Sequence, residues 1–444
     1  GQTYYQLEKN SEPVAYIDGT SYYYLPDAVA ALEGGETLVL DANFEVGDTS
    51  EVLNFTVPNV TLDLKGHNIT STSAASPVAC SGAASGTFTI TNSASTTASI
   101  TADETQNFEI AAVSARSNTS VTVVISDNVT VGGVLLRSGA RIADTTDNRG
   151  LLDYDGSMSD LYAVAIDGEN YIYGGGNISA IGRDAAASVT AITATLLGDA
   201  DDGITYGNTA VALTVNLDSH VVTSVGNAAV GIPSGAKGTS LTVRNGTVRG
   251  GISAAGASSE NCTLSLVDLN MTSNGDAGVA ANGSKSDGLK LKLTNCTLTS
   301  TNNSNMTTGI FFPVEGGELT IENSTITGYN TGVQAYAGTV TIKGNQTVIT
   351  GSGEFIENID NGEVMETGPI FDGAAVSIID RNTDYGEFVS INIEGGSFST
   401  ETGSGDNGAV HVASEVAGNA GSFEDFKNTN DDGDKIVQVS GGTF

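Results

Sequence analysis

The chain has 444 residues, more than one globular core usually holds, so several domains or a repeat array are expected. With 17 basic against 52 acidic residues the formal net charge is −35, which argues against nucleic acid and anionic membrane surfaces, both of which are held mainly by Lys and Arg. Gly is abundant (56), Pro scarce (7) and Trp absent, while 39% of residues are hydrophobic and alternate with polar ones, a balance that favours short strands and turns over disorder.

Taken in chain order, the first legible element lies in "YYYLPDAVAALEGGETLVLDANFEV", which begins at Tyr22. It predicts a short helix over Pro26–Leu32, a stop at Gly34 and Gly35, then a strand. "VPNVTLDLKGHNIT" at 57–70 follows as a strand pair turned at Gly66. Such a helix would cap the first coil of a stack, whose open end otherwise exposes core and unpaired strand edges. Tyr22, Tyr23 and Tyr24 are expected to pack around this cap. From 75 to 205, runs such as "GTFTITNS", "VTVVISDNVTVGGVLLRSGARI" and "YAVAIDGENYIYGGGNISAIG" predict further strands and turns, here assigned to irregular coils of the same array.

The next segment repeats itself. "LTVNLDSHVVTS" from Leu213, "LTVRNGTVRG" from Leu241, "LSLVDLNMTS" from Leu264, "LKLTNCTLTS" from Leu291, "LTIENSTITG" from Leu319 and "VTIKGNQTVITG" from Val340 step by 28, 23, 27, 28 and 21 residues. Repeats of this length usually mean a solenoid, in which each unit buries its apolar face only against its neighbours. Within a unit the period is two: Leu319 and Ile321 point one way, Thr320 and Glu322 the other. A turn follows at Asn245, Asn295 or Asn323, with Asp268 standing in once, and stacked side chains there would form a hydrogen-bonded ladder. A third element opens on Gly before an apolar residue, as in "TGIFF" at 308–312 and "TGVQAYAG" at 331–338, with Gly assigned to the corners for its backbone freedom. Three short strands per turn with Gly and Asn at the corners is the layout of a parallel β-helix. Leucine-rich repeats need helical segments that are missing, and immunoglobulin-like sandwiches need longer units.

The segment "LPDAVAAL…G…LVL" leading into "VTLDLKGHNIT" resembles the entry to right-handed parallel β-helices of the pectin-lyase-like superfamily. That resemblance implies a right-handed coil, parallel strands, a core of aliphatic residues and stacked Asn, and often a carbohydrate-related role. "INIEGGSF" at 391–398 recurs as "VQVSGGTF" at 437–444, and this ending resembles large repetitive surface proteins of Gram-positive, often gut-dwelling, bacteria. The expected fold is therefore all-β, a right-handed parallel β-helix over 1–444 with a short N-terminal capping helix. Its cap and first strands take 1–56, its coils 57–350 and its C-terminal coils 351–444. The array is expected to continue past Phe444, with export signal and anchor lying outside this sequence.

Chemistry is harder to read. A β-helix lyase needs a base and cations on one sheet. Arg244, Arg249, Lys290, Lys292 and Lys343 lie on repeat strands, but without an Arg-centred lyase signature, and outward solvated positions explain them. A glycosidase needs carboxylates facing one another across a cleft. Asp153 and Asp155 in "DYDG", and Asp199, Asp201 and Asp202 in "GDADDG", are the candidates, with solvated turns as the competing reading. His67, His220 and His411 are far apart in sequence, and His220 and His411 have no visible partners. Tyr171 and Tyr173 remain as aromatic platforms for a sugar. "NTNDDGDK" at 428–435 places Asn428, Asn430 and Asp432 at alternate positions before Gly433, like the opening of a calcium loop without its closing Glu, so Ca²⁺ is the one cofactor suggested. Cys80, Cys262 and Cys296 make no disulfide framework and are expected as buried thiols, although Cys262 and Cys296 would pair if the fold brought them within reach.

These features point to a non-enzymatic extracellular protein, a rod-like adhesin or stalk segment of the cell surface. Its loops would bind a host or microbial surface ligand such as a glycan, and a monomer with no membrane insertion is expected. The competing function is a polysaccharide lyase or glycoside hydrolase on the same fold.

Overall fold

A computed structural model describes residues 12–73, 75–81, 85–102, 113–116, 121–207, 210–224, 228–281, 288–302, 307–352, 373–380, 388–400, 409–414 and 436–444. The chain is all-β with long parallel pairings, and it divides into two compact units, 1–186 and 187–444.

The N-terminal unit opens on an antiparallel hairpin, Ala15–Ile17 with Thr20–Tyr22, whose first strand also pairs antiparallel with Thr37–Leu40. Between them sits the helix Leu25–Ala30, with Pro26 in its first turn, where no intrahelical N–H is needed. It buries Leu25, Ala28 and Val29, and the chain leaves it through Gly34 and Gly35, both at positive φ. The expected helix is present but ends two residues sooner. Of the three tyrosines before it, Tyr22 is half-buried, whereas Tyr23 and Tyr24 are 38% and 43% exposed.

Three parallel ladders follow. Thr37–Leu40 is succeeded by Val60–Asp63, Gly86–Thr91, Val121–Ile125 and Arg141–Ala143. Phe44–Val46, Ile69–Ser71, Ala98–Thr101 and Val129–Val131 form the second ladder, and Leu53–Phe55, Val78–Cys80, Val113–Arg116 and Val134–Arg137 the third. Past Ala143 the pattern changes in a way the sequence reading missed. Helices Thr146–Leu152 and Ser179–Asp184 flank an antiparallel hairpin, Leu161–Ile166 with Glu169–Gly174. Thr145 starts the first of these helices by accepting a hydrogen bond from the Asn148 backbone N–H, a cap that the alternating apolar runs around it had hidden.

The C-terminal unit also has three parallel ladders, in one-to-one register over most of their length. In the first, Val215, Val243, Leu266, Leu293, Ile321, Ile342 and Ile393 stack as a buried column. Val222, Val248, Met271, Leu298, Ile326, Ile349 and Phe398 do the same in the second, and Ile204, Val230, Ile252, Val279, Ile310, Val333 and Val376 in the third. Each such side chain contributes about 1.5–3 kcal/mol by leaving water, and period-two alternation puts the residues between them on the opposite face, outward in the first two ladders but buried at Phe311, Gln334 and Ser377 of the third. The outer face of the first ladder is charged and carries the pairs Lys290–Glu318 and Lys343–Glu322. The outer face of the second carries Asn270 and Thr272, Thr297 and Thr299, Thr325 and Thr327, Val348 and Thr350, then Ser397 and Ser399 on successive strands.

Between the first and second ladders the chain turns through Asn245, Asp268, Asn295 and Asn323, each with φ between 48° and 60°. Asn245 Nδ2 donates to Asn216 Oδ1 at 2.9 Å and Asn295 Nδ2 to Asp268 Oδ1 at 3.1 Å. The next turn has Gly344, at φ 89°, where a Cβ would lie 2.2 Å from Asn323 Oδ1. A side chain in that place would collide with the amide below it.

Cys80, Cys262 and Cys296 are free and buried. Burial pushes the Cys296 thiol up to about 11, with backbone hydrogen bonds only partly opposing it. The folded protein at pH 8 should therefore react negligibly with a thiol-specific disulfide reagent, and all three thiols should titrate once guanidinium unfolds the chain. Fast reaction in the native state would contradict this burial.

Candidate functional site

The acidic turn 199–202 is the sequence-predicted site that the fold builds up furthest. Ala200 bridges Val222 in parallel, which sets the turn beside the strand Val221–Thr223. Asp199 Oδ1 accepts the Val221 backbone N–H at 2.9 Å and lies 3.5 Å from His220 Nδ1. Asp201 Oδ1 accepts the Thr223 hydroxyl at 2.8 Å. Both carboxylates thus tie one turn to its neighbour, and Asp199 remains 62% exposed, so its field is screened by water. His220, which showed no partner in sequence, acquires one here.

Asp202 is placed differently. It lines a cleft of about 280 Å³ together with Thr205, Ile232, Pro233, Ser234 and Ser253. Ala228, Gly231 and Gly256 complete its described wall, and at Gly256 a Cβ would lie 2.4 Å from the Ser234 backbone N, so the chain can pass this closely only as glycine. A carboxylate with serine and threonine hydroxyls and a short apolar wall offers hydrogen bonds to a polyol. Among the described lining residues Asp202 is the one carboxylate, whereas acid–base cleavage of a glycosidic bond uses two. Nothing in the sequence marked Ser234 or Ser253, which lie on different coils and meet only through the stacking.

Asp153 and Asp155 are not brought to that cleft. Asp153 ends the helix Thr146–Leu152, and Asp155 Oδ1 accepts the backbone N–H and the hydroxyl of Ser157 in an exposed turn. Asn428, Asn430 and Asp432, the suggested Ca²⁺ ligands, lie outside the described residues. No cluster of three His, Cys, Asp or Glu with metal-holding geometry occurs among the described residues, and no described helix is long and apolar enough to cross a membrane.

A buried Arg–Tyr–Asp network in the N-terminal unit was not legible in the sequence. Arg141 donates to Tyr173 Oη and to Thr122 Oγ1, both at 2.8 Å, and its Nη1 lies 2.9 Å from Asp184 Oδ2. The Tyr173 hydroxyl donates to the same Asp184 oxygen at 2.7 Å, and the Tyr171 ring lies 4.2 Å from the guanidinium carbon. Tyr173 is fully buried, so it is no sugar platform. Burial, followed by the charge on Asp184, drives its hydroxyl far above the usual tyrosine range. Alternation in "YIYGGG" put Tyr171 and Tyr173 on one face, but their partners come from a strand 30 residues earlier and a helix further on, which local pattern does not reveal.

Compared with protein-family models, curated proteins and solved structures, the chain matches none.

Proposed function

We propose that the chain is a non-enzymatic extracellular segment, an adhesin or stalk element of a cell surface, in which each unit winds as a right-handed parallel β-helix of pectin-lyase type. Strands in successive parallel register, Asn at the left-handed turns and a helix at the first strands support that winding, and parallel crossovers are right-handed almost without exception. In this reading the coils supply a stiff scaffold, and the loops and the 202–256 cleft meet the ligand, a surface glycan.

One observation carries the choice of binding over turnover: among the described residues Asp202 is the single carboxylate lining the cleft, while Asp199 and Asp201 hold neighbouring strands. Incubation with acidic and neutral polysaccharides, with and without Ca²⁺, should yield neither new reducing ends nor unsaturated products. Retention on an immobilised glycan panel should fall about tenfold in Asp202→Ala, the loss of one charged hydrogen-bond partner. Turnover that disappears in Asp202→Asn would replace this reading with a polysaccharide lyase or hydrolase.

A further inference from the structure

The outer face of the second ladder in the C-terminal unit differs from the rest of this acidic chain. Five successive strands, from Asn270 to Thr400, carry no Lys, Arg, Asp or Glu, although the neighbouring first ladder presents Lys290, Lys292, Glu318, Glu322 and Lys343 over the same coils. Threonines dominate the uncharged face, and they stand in two columns. Thr297 pairs with Thr325, and Thr299 with Thr327, in unbroken parallel register. Thr272 continues the second column on one side and Thr350 on the other. All six are partly or fully exposed, and their neighbours Met271, Leu298, Ile326 and Ile349 are locked in the core beneath.

The geometry is a lattice. Parallel strands set the hydroxyls about 4.8 Å apart along a column, and alternation sets the columns about 6.7 Å apart. Thr is stiff at χ1, so each hydroxyl and methyl is held before anything binds, which removes most of the ordering cost on contact. Over these five strands the face carries neither the charges that suit an ionic partner nor the aromatic rings that stack on sugar, and Arg249, in register with Thr272 on the preceding strand, bounds it on one side. A neutral partner with its own two-dimensional repeat of hydrogen-bonding oxygens at this scale is complementary to it.

We propose that this threonine face binds ice: the two columns order a sheet of water that continues into the lattice of a growing crystal, and the protein halts growth there. The proposal rests on the sheet face alone, independent of the cleft and of any glycan ligand.

The test follows grain growth in a polycrystalline ice film annealed just below melting with the full chain. The unsubstituted protein should hold grains small. Thr299→Tyr and Thr327→Tyr put a bulky ring on the face at strand positions that tolerate Tyr, and should raise the effective concentration about tenfold or more. Thr320→Tyr, on the outer face of the first ladder, should leave the effect unchanged. Circular dichroism and thermal melting identify any variant that fails to fold, and Thr299→Ser with Thr327→Ser, which keep the hydroxyl and lose the methyl, should weaken inhibition less than Tyr. Unchecked grain growth with the unsubstituted protein would overturn the proposal, as would inhibition that Thr299→Tyr and Thr327→Tyr leave intact. Adsorption to crystalline cellulose or chitin without any effect on ice would assign the face to a polysaccharide instead.

Discussion

Arg141→Ala is expected to cost the N-terminal unit about 3–5 kcal/mol, the usual loss when one partner of a buried ion pair is removed and the other stays behind. Asp184 is the group stranded: its side chain is 7% exposed, and that of Arg141, whose Nη1 lies 2.9 Å away, is 19% exposed. The Tyr173 hydroxyl, 2.7 Å from the same carboxylate, would remain as its partner, but a neutral donor cannot balance a buried charge. Arg141→Lys should recover only part of the loss, because an ammonium cannot engage Thr122, Tyr173 and Asp184 in one plane while lying against the Tyr171 ring. Urea titration followed by tyrosine fluorescence measures the cost, and a change below about 1 kcal/mol would mean that water reaches Asp184 in the folded protein. The network also has a pH signature. Folding holds the Tyr173 proton above its ordinary value of 10.0, so the folded state keeps a proton that the unfolded chain releases. Its contribution is complete below that value and is lost as the pH rises further, and Tyr173→Phe should remove this part of the alkaline decline.

Period-two patterns in "LTIEN" and "LKLTN" announced strands because each apolar side chain needs only its own coil and the next to be buried. The left-handed turns at Asn245, Asn295 and Asn323 were legible for the same local reason. Pro26 followed by Gly34 and Gly35 marked the helix, since N-terminal Pro and trailing Gly act within a few residues. What could not be read is what depends on distant meetings. Nothing in the local pattern singles out Arg141, yet the Glu169–Gly174 strand returns antiparallel beside it and delivers Tyr171 and Tyr173. Asp199, Asp201 and Asp202 looked equivalent in sequence, and only the stacking of Val221–Thr223 alongside separates two strand ties from one cleft carboxylate.

Gly332→Ala should destabilise the C-terminal unit by about 1–3 kcal/mol, and Gly332→Val by more, because the added carbon has no room. A Cβ at Gly332 would lie 2.5 Å from both the Ala375 carbonyl oxygen and Ile349 Cγ2, and 3.0 Å from the Thr350 carbonyl oxygen. Two of these three are backbone atoms of neighbouring strands, so relief requires the ladders to separate and not merely a rotamer change. The same crowding recurs one coil earlier, where a Cβ at Gly309 would lie 2.5 Å from the Gly332 carbonyl oxygen and 2.7 Å from Ile326 Cγ2. It recurs again at Gly278, 2.7 Å from the Gly309 carbonyl oxygen and 2.8 Å from Leu298 Cδ1. Backbone freedom, the reason the sequence suggested for corner glycines, is not what these three supply, since their φ angles lie outside the left-handed region. They supply closeness: the third ladder begins against the side chains that fill the second. Gly251 provides the contrast, with ordinary φ and its nearest atoms at 3.9 and 4.0 Å. Gly251→Ala should be neutral or stabilising by about 0.4–1 kcal/mol through the unfolded chain. A response at Gly332 as mild as that at Gly251 in the same denaturant titration would mean that chain entropy alone decides both, and that the strands are not packed as closely as the register requires.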